Sequence, residues 1–309
     1  MAALPERLSG IIPPVCTPLT AEHEVDVPSL ERLVGFLLAA GVHGLFALGT
    51  TSENMLLTDC QRATVIETIV AAAGRRVPVI AGVIDTATAA SVAHARVAQR
   101  LGVDGLVLTA PFYLRPSQAE VVAHFHAVRA AVDLPILAYD IPSAVPTKLE
   151  RATVLAMARE GLIVGLKDSS GDEANFRSIV VEAASLDGFA TFTGSELMVD
   201  LTLIAGASGA VPSLANVDPA AFVRVYDAVR AGDLATAHAE QARIARLFAL
   251  IHAGDPARMG TTASFVGAFK TALLLRGVIA TNVVGRPLTR YDAADVERVR
   301  AILTEVGLL

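Results

Sequence analysis

The sequence predicts an α/β protein: a (β/α)8 TIM barrel with a C-terminal helical appendage. Short apolar runs rich in Val, Ile and Leu alternate with longer, Ala-rich amphipathic segments up to about residue 216. The short runs lack alternation of polar and apolar residues, which is typical of strands buried on both faces of a parallel sheet. Eight such strand–helix units in succession favour a closed barrel over an open, doubly wound sheet.

The individual elements follow from this rhythm. The strands are predicted at residues 11–17, 45–49, 79–83, 106–109, 136–139, 163–167, 190–193 and 210–211. The helices between them are predicted at residues 28–40, 58–73, 89–101, 118–132, 148–159, 173–184 and 197–204. Capping residues support two of the starts, because Thr58 precedes Asp59 and Ser117 is followed three residues later by Glu120, as in a capping box.

The strand pattern stops after about Asn216, and the rest of the chain is helical in character. Helices are predicted at residues 219–230, 234–250, 262–276 and 293–304. The first of them closes the barrel and the others form the appendage. We therefore divide the chain into a barrel domain that carries the catalytic site, residues 1–232, and a C-terminal helical domain, residues 233–309.

The charge and the cysteine content exclude several classes of protein. The net charge is −6 and the basic residues form no long run, which argues against a nucleic-acid partner. The two cysteines, Cys16 and Cys60, are too few for a disulfide framework and have no metal-ligand spacing, so we expect a reducing, cytoplasmic location.

No membrane or export segment is expected either. Residues 1–10 lack the apolar region of a signal peptide. Residues 33–49 are nearly all apolar, but Gly41 and Gly44 divide this stretch into a helix and a strand.

Lys167 is the first candidate for a catalytic residue. It ends a predicted buried strand and is one of only three lysines in the chain, with Lys148 and Lys270. Poor solvation at such a position disfavours the ammonium form and so favours the neutral amine that acts as a nucleophile. The alternative is a strand-end lysine that reaches solvent. The residues at the ends of the other strands distinguish between these two interpretations.

Those other strand ends carry groups that suit an amine nucleophile, and in a barrel they meet at one mouth. The second strand ends in Gly49-Thr50-Thr51-Ser52-Glu53, whose hydroxyl and backbone N–H groups can hold a carboxylate. The fifth strand ends at Tyr139, the seventh at Thr193-Gly194 and the eighth near Val211. A carboxylate cradle, a phenol and an amine at one mouth suit imine chemistry on a 2-oxo acid.

Five segments resemble the signature segments of the dihydrodipicolinate synthase / N-acetylneuraminate lyase superfamily, and they occur in the same order. These segments are Gly49-Thr50-Thr51-Ser52-Glu53, Pro111-Phe112-Tyr113-Leu114-Arg115-Pro116-Ser117, Tyr139-Asp140-Ile141-Pro142, Gly165-Leu166-Lys167-Asp168 and Gly209-Ala210-Val211-Pro212-Ser213-Leu214-Ala215-Asn216. The likeness runs from about Gly10 to Asn216, and the helical C-terminal part is also typical of the superfamily.

The resemblance implies a pyruvate-dependent class I aldolase or lyase, with pyruvate and an aldehyde as partners. Lys167 would form a Schiff base with the 2-oxo acid, and Tyr139 would transfer protons with Thr50 and with Tyr113, which would reach across a subunit interface. Thr51, Val211 and Gly194 would bind the substrate. The resemblance further implies a homotetramer, arranged as a dimer of dimers, and a reaction that requires no metal or organic cofactor.

Two departures from the superfamily pattern bear on the substrate. After Tyr139, dihydrodipicolinate synthases normally have Pro-Ser-Arg, whose arginine holds the carboxylate of the aldehyde; here the segment is Pro142-Ser143-Ala144. Ser52 replaces a glycine that is usual in the turn. The sequence after Lys167 looks more like the aldolases of 2-keto-3-deoxy sugar acids and of 4-hydroxy-2-oxo acids, so we expect one of these two substrate classes.

Three alternatives stay open at the level of the sequence. A 4-hydroxy-tetrahydrodipicolinate (dihydrodipicolinate) synthase is possible if another arginine substitutes, and a deoxy sugar-acid dehydratase would share the imine. A 2-oxo-acid-binding regulatory protein would be expected to have lost Lys167 or Tyr139, and both are present. Glu196 lies where a phosphate site is common in such barrels, which argues against phosphorylated substrates.

Overall fold

Eight parallel strands form one sheet in the computed structural model, which describes residues 8–309. The strands are β1 (Gly10–Ile11), β2 (Leu45–Ala47), β3 (Val79–Gly82), β4 (Gly105–Leu108), β5 (Ile136–Asp140), β6 (Gly165–Asp168), β7 (Ala190–Thr193) and β8 (Gly209–Ala210). Strands β2 to β8 each pair with their neighbours in sequence, and β1 pairs with β8. The barrel closes between β1 and β2, where His43 N–H donates to the Ile11 carbonyl at 2.9 Å and Pro14 bridges to Phe46.

A helix follows each strand, and three more follow the barrel. The helices in residues 8–309 are α1 (Val27–Ala39), α2 (Asp59–Ala73), α3 (Thr88–Arg100), α4 (Gln118–Arg129), α5 (Arg151–Arg159), α6 (Glu173–Ala183), α7 (Val199–Ile204), α8 (Pro219–Ala231), α9 (Leu234–Leu247), α10 (Thr261–Leu275) and α11 (Ala293–Glu305). This alternation confirms the (β/α)8 barrel with a helical C-terminal part. The division at residues 232 and 233 stays a prediction.

Capping residues fix where several helices begin and end. Thr58 and Gln61 form a capping box at the start of α2, and Ser117 and Glu120 form one at the start of α4. Helix α2 ends at Gly74, whose backbone is left-handed with φ of 56°. Because of these local signals, the boundaries of α2 and α4 could be predicted approximately from the sequence.

Two of the boundaries that differ from the prediction have a clear physical cause. Strand β1 covers only two residues, because Pro13 and Pro14 have no N–H to continue a ladder. Helix α5 begins at Arg151 instead of residue 148, since Lys148 and the Leu149 backbone are both bonded to Asp140.

Apolar side chains fill two layers, one inside the barrel and one between the sheet and the helices. Ile12, Phe46, Leu137 and Phe192 are among those that fill the interior. The outer layer packs alternate strand residues, such as Leu166, against the helices. No helix within the described range is both long enough and apolar enough to cross a membrane.

Candidate active site

Lys167 and Tyr139 meet inside the barrel because their strands are neighbours in register. Tyr139 on β5 is paired with Lys167 on β6, so both side chains point to the same face of the sheet. The Lys167 Nζ lies 4.0 Å from the centroid of the Tyr139 ring. Lys167 is only 5% exposed and Tyr139 is also buried, so the amine and the phenol share one enclosed site.

Two aromatic rings are close neighbours of the amine. The Lys167 Nζ also lies 5.3 Å from the centroid of Phe46, which packs edge-on against Tyr139. Gly49 lets the chain turn over Phe46, because a Cβ on Gly49 would lie 2.8 Å from Phe46 Cε1. Lys167 forms no ion pair with any residue in 8–309, so its amine is available to a ligand.

Thr50 joins this pair from the turn after β2. Residues Thr50–Ser52 form one short helical turn, and Thr50 Oγ1 lies 3.4 Å from the Tyr139 hydroxyl. Within the described chain, the N–H groups of Thr50 and Thr51 donate to no other residue, as is usual at the start of a helical turn. The turn therefore presents hydroxyl and N–H donors close to the amine and the phenol.

Thr51 is held by a chain of hydrogen bonds that runs towards the C-terminal helices. Its Oγ1 lies 2.7 Å from Ser213 Oγ, and the Ser213 N–H donates to Glu196 Oε1 at 2.8 Å. The Glu196 carbonyl accepts from Gln241 Nε2 of α9 at 2.8 Å. Desolvation raises the pKa of the Glu196 carboxyl, and the nearby charge of Lys167 opposes that rise.

The structure places Val211 and Gly194 at the same end of the barrel. Val211 is buried and its N–H donates to the Thr193 carbonyl at 2.8 Å. The Gly194 N–H donates to the Asp168 carbonyl at 2.7 Å, and a Cβ on Gly194 would lie 2.0 Å from Ser169 Oγ. Gly194 is thus required for the close packing of the strand ends after β6 and β7.

Tyr113 stands apart from the other candidates. It is 88% exposed in the loop after β4, with a left-handed φ of 72° that a tyrosine rarely adopts. A single chain therefore brings together Lys167, Tyr139 and Thr50, and leaves Tyr113 at the surface.

Two carboxylates lie behind Lys167 and Tyr139, on the outer face of the same strands. Asp140 accepts from Lys148 Nζ and from the Leu149 N–H, each at 3.0 Å, and Asp168 accepts from the Ser170 N–H at 2.8 Å. Desolvation raises the pKa of both Asp140 and Asp168. Asp140 and Asp168 hold the loops that follow β5 and β6 in position.

A buried ion pair between Glu53 and Lys270 was missed by the sequence reasoning. Glu53 follows the Thr50–Ser52 turn, and its carboxylate pairs with Lys270 on α10 while accepting from the Gly285 N–H at 2.5 Å. Lys270 also donates to the Val283 carbonyl at 2.9 Å. The rarity of lysine in this chain was a signal that could have drawn attention to Lys270.

Comparison with known proteins gives the same family across the whole fold. Residues 7–306 match the model of the dihydrodipicolinate synthetase family. An uncharacterized DapA-like lyase of Halobacterium salinarum is 35% identical over 305 residues, which cover 99% of this chain and 96% of the relative. A 4-hydroxy-tetrahydrodipicolinate synthase of Methanoculleus marisnigri is 32% identical, covering 96% of this chain and 99% of the relative.

A solved structure is also similar along its full length. The E. coli prophage protein YagE, described as belonging to the dihydrodipicolinic acid synthase family and solved in complex with pyruvate, superimposes with a TM-score of 0.92. It is 29% identical in sequence, and the match covers 99% of this chain and 100% of YagE. The barrel, the site at its mouth and these matches together establish that the chain belongs to the dihydrodipicolinate synthetase family, whose members are lyases of the aldolase type.

Proposed function

We propose that this protein is a pyruvate-dependent class I aldolase that forms a Schiff base on Lys167. The observation that carries the proposal is the position of the Lys167 Nζ, buried and 4.0 Å from the Tyr139 ring at the mouth of the barrel. An amine that forms no ion pair within residues 8–309 and lies beside a phenol is suited to attack a carbonyl, and the phenol can transfer the protons of the reaction. The pyruvate complex of YagE supports the same ligand class for this chain.

The proposed reaction begins at the amine of Lys167 and returns that amine to its free form. The Lys167 amine attacks C2 of pyruvate, the former carbonyl oxygen leaves as water after protonation, and an imine remains. Loss of a proton from C3 gives an enamine, which attacks the aldehyde carbon and forms the new carbon–carbon bond. The aldehyde oxygen takes up a proton, and water then hydrolyses the imine to release the product and the free amine.

Tyr139 is the proton-transfer group in this scheme, and Thr50 orients its hydroxyl. The 3.4 Å separation of Thr50 Oγ1 and the Tyr139 hydroxyl is long for a hydrogen bond, and such contacts often shorten when substrate binds. The Thr50–Ser52 turn, Thr51 and the backbone at Val211 would hold the pyruvyl carboxylate. Gly194 would keep the neighbouring strand ends close enough to enclose it.

For the substrate, we propose a 2-keto-3-deoxy sugar acid or a 4-hydroxy-2-oxo acid. The support is Ala144, which lies in the segment where dihydrodipicolinate synthases have an arginine for the carboxylate of their aldehyde. The second candidate function is 4-hydroxy-tetrahydrodipicolinate synthase, favoured by the name of the Methanoculleus marisnigri relative.

We further propose that the working form is a homotetramer, built as a dimer of dimers, in the cytoplasm. The exposed Tyr113 supports a dimer in which each copy completes the site of the other. The exposed apolar side chains of Val181, Leu197, Leu201 and Ile204, on and beside α6 and α7, support a second contact between dimers. Both cysteines are free, as expected in a reducing compartment.

Replacing Tyr139 by phenylalanine tests the assigned chemistry. Tyr139→Phe keeps the ring that packs against Phe46 and removes only the hydroxyl, so the fold should be retained. We expect kcat for pyruvate release from a 2-keto-3-deoxy sugar acid to fall about 100- to 10,000-fold, the usual contribution of a proton-transfer group.

Tyr226→Phe is the matched control, because Tyr226 packs against His43 outside the site. Its activity should equal that of the wild type. Full activity in Tyr139→Phe would contradict the assigned role of Tyr139.

A further inference from the structure

A small cavity beside Tyr139 has no role in the reaction steps proposed above. It has a volume of about 80 Å³, and both Thr50 and Tyr139 contribute to its wall. That volume accommodates a fragment equivalent to about two or three water molecules. We call it the Asn54 cavity, after the residue that distinguishes it.

The walls of the Asn54 cavity are largely apolar and carry no charge. Ile84, Phe112, Ile141 and Val145 provide most of the carbon surface. Among the residues in 8–309 that line it there is no Asp, Glu, His, Lys or Arg. Because an anionic group would lose its hydration here and gain no counter-ion, the cavity disfavours a carboxylate or a phosphate.

Ala144 also lines the Asn54 cavity. The superfamily pattern has a carboxylate-binding arginine at this point of the chain, so the substitution removes a cation from the wall itself. The composition of the wall and the alanine at residue 144 therefore both favour an uncharged ligand.

Among the described residues that line the cavity, only Asn54 has a buried polar side-chain atom without a hydrogen-bond partner. Its side chain is 3% exposed, and its Nδ2 has no hydrogen-bond partner among the described residues. A buried amide without a partner is costly, and in a native protein it calls for an explanation. A ligand oxygen in the cavity would accept this hydrogen bond.

The position of Asn54 is fixed by its neighbours. The Asn54 carbonyl accepts from Arg62 Nη1 at 3.2 Å, and the preceding Glu53 is held by Lys270. Asn54 is thus presented to the cavity by a rigid segment, which is what selective recognition requires.

From these observations we infer that the Asn54 cavity receives the aldehyde partner, that this aldehyde is short, uncharged and hydroxylated, and that Asn54 recognises its hydroxyl oxygen. The inference rests on the proposed aldolase function and restricts the range of aldehydes that the enzyme would use. Of the two substrate classes proposed above, it selects the 2-keto-3-deoxy sugar acids, whose aldehyde is uncharged. It excludes those 4-hydroxy-2-oxo acids whose aldehyde is an anion.

The test compares three small aldehydes as partners of pyruvate, with kcat/KM measured for product formation. Glycolaldehyde carries a hydroxyl, propionaldehyde replaces that hydroxyl by a methyl group, and glyoxylate carries a carboxylate. We expect kcat/KM of the wild type to be about tenfold higher for glycolaldehyde than for propionaldehyde, because one hydrogen bond to the ligand contributes about that much. We expect kcat/KM to be lowest for glyoxylate.

Three variants separate the parts of the inference. In Asn54→Leu, which keeps a similar size but cannot donate, the preference for glycolaldehyde over propionaldehyde should fall to about one. Met55→Leu, a change in the same wall that removes no hydrogen-bonding group, is the matched control and should keep the tenfold preference. Ala144→Arg should raise kcat/KM for glyoxylate relative to glycolaldehyde by about tenfold, since it supplies a cation.

The outcomes distinguish this inference from the proposed function. If borohydride traps no pyruvate on wild-type Lys167, the aldolase proposal fails. If pyruvate is trapped but wild-type enzyme uses glyoxylate as well as glycolaldehyde, the assigned aldehyde class is wrong. If Asn54→Leu retains the tenfold preference, the role of Asn54 is wrong, and the wild-type comparison still decides the class should that variant fail to fold.

Discussion

At the scale of single residues, burial decides what each ionisable side chain can do. His124 on α4 is buried with its Nδ1 2.9 Å from Thr88 Oγ1, and desolvation lowers its pKa from 6.5 to about 4. His126, two residues later, is exposed and contacts Glu160 at 3.1 Å. The two histidines therefore face different directions, as their spacing on a helix predicts, and the environment of His124 disfavours its charged form.

The lowered pKa of His124 predicts a specific loss of stability in acid. Near pH 5 the unfolded chain binds a proton on this imidazole and the folded chain does not, so protonation favours unfolding and stability rises with pH across this range. Between pH 7 and pH 5 the wild type should lose about 2 kcal/mol of unfolding free energy that His124→Gln does not lose.

Urea unfolding at the two pH values measures this difference. His126→Gln is the matched control and should behave as the wild type does. An equal acid sensitivity in wild type and His124→Gln would show that His124 is not buried in the neutral form.

At the scale of elements, the turn after β2 is the part of the site that depends most on distant contacts. Thr50 and Thr51 lie in this turn, and Glu53 at its end pairs with Lys270 on α10. Both side chains of the ion pair are fully buried. The C-terminal helices therefore help to position the turn that we propose binds the substrate, although they contribute no residue to the proposed chemistry.

Removing Lys270 should destabilise the protein strongly. Lys270→Met leaves Glu53 buried without its partner, and we expect the free energy of unfolding to fall by about 3–5 kcal/mol. The double variant Glu53→Gln/Lys270→Met should recover much of that loss, because no buried charge remains.

Thermal and urea unfolding of these variants provide the measurement. Arg151→Met, which removes the exposed pair with Glu182, is the control and should cost less than about 1 kcal/mol. A loss for Lys270→Met no larger than that of Arg151→Met would contradict the importance of the buried pair.

The elements also show what the sequence could and could not predict. Lys167, Tyr139 and Thr50 could be located because they lie at or just after the ends of recognisable buried strands, and barrel topology brings such strand ends together. The Glu53–Lys270 pair joins residues that are far apart in the sequence, and no local pattern predicts such a contact. The missing hydrogen-bond partner of the Asn54 amide likewise depends on how the folded chain surrounds it. The late start of α5 comes from a nearer contact, since Asp140 binds residues eight and nine positions later, in the segment that local propensity assigns to the helix.

At the scale of the whole molecule, the proposed tetramer accounts for two features that a single chain leaves unexplained. One is Tyr113, held in an unfavourable backbone conformation and exposed to solvent. The other is the apolar surface on α6 and α7. An assembly that buries both would complete the site and cover the apolar surface.

Light scattering tests the assembly directly. We expect a particle of four times the 32.1 kDa chain mass. Leu201→Asp, which introduces a charge on the apolar surface of α7, should halve that mass, because a buried unpaired charge disfavours the contact between dimers. Leu309→Asp, at an exposed position at the end of the chain, is the control and should leave the tetramer intact.

A monomeric wild type would contradict this assembly. It would also remove Tyr113 from the proposed proton-transfer group.

The central claim is the Schiff base on Lys167, and reductive trapping tests it most directly. The protein is incubated with pyruvate and borohydride and digested with trypsin, and the peptides are analysed by mass spectrometry. A reduced pyruvyl group on Lys167 would block cleavage there and give a single peptide spanning residues 160–177 that carries the added mass of the pyruvyl group; Lys167→Met should give a peptide of the same span without that added mass. No adduct on the folded protein, or an adduct on Lys148 or Lys270 instead, would contradict the account.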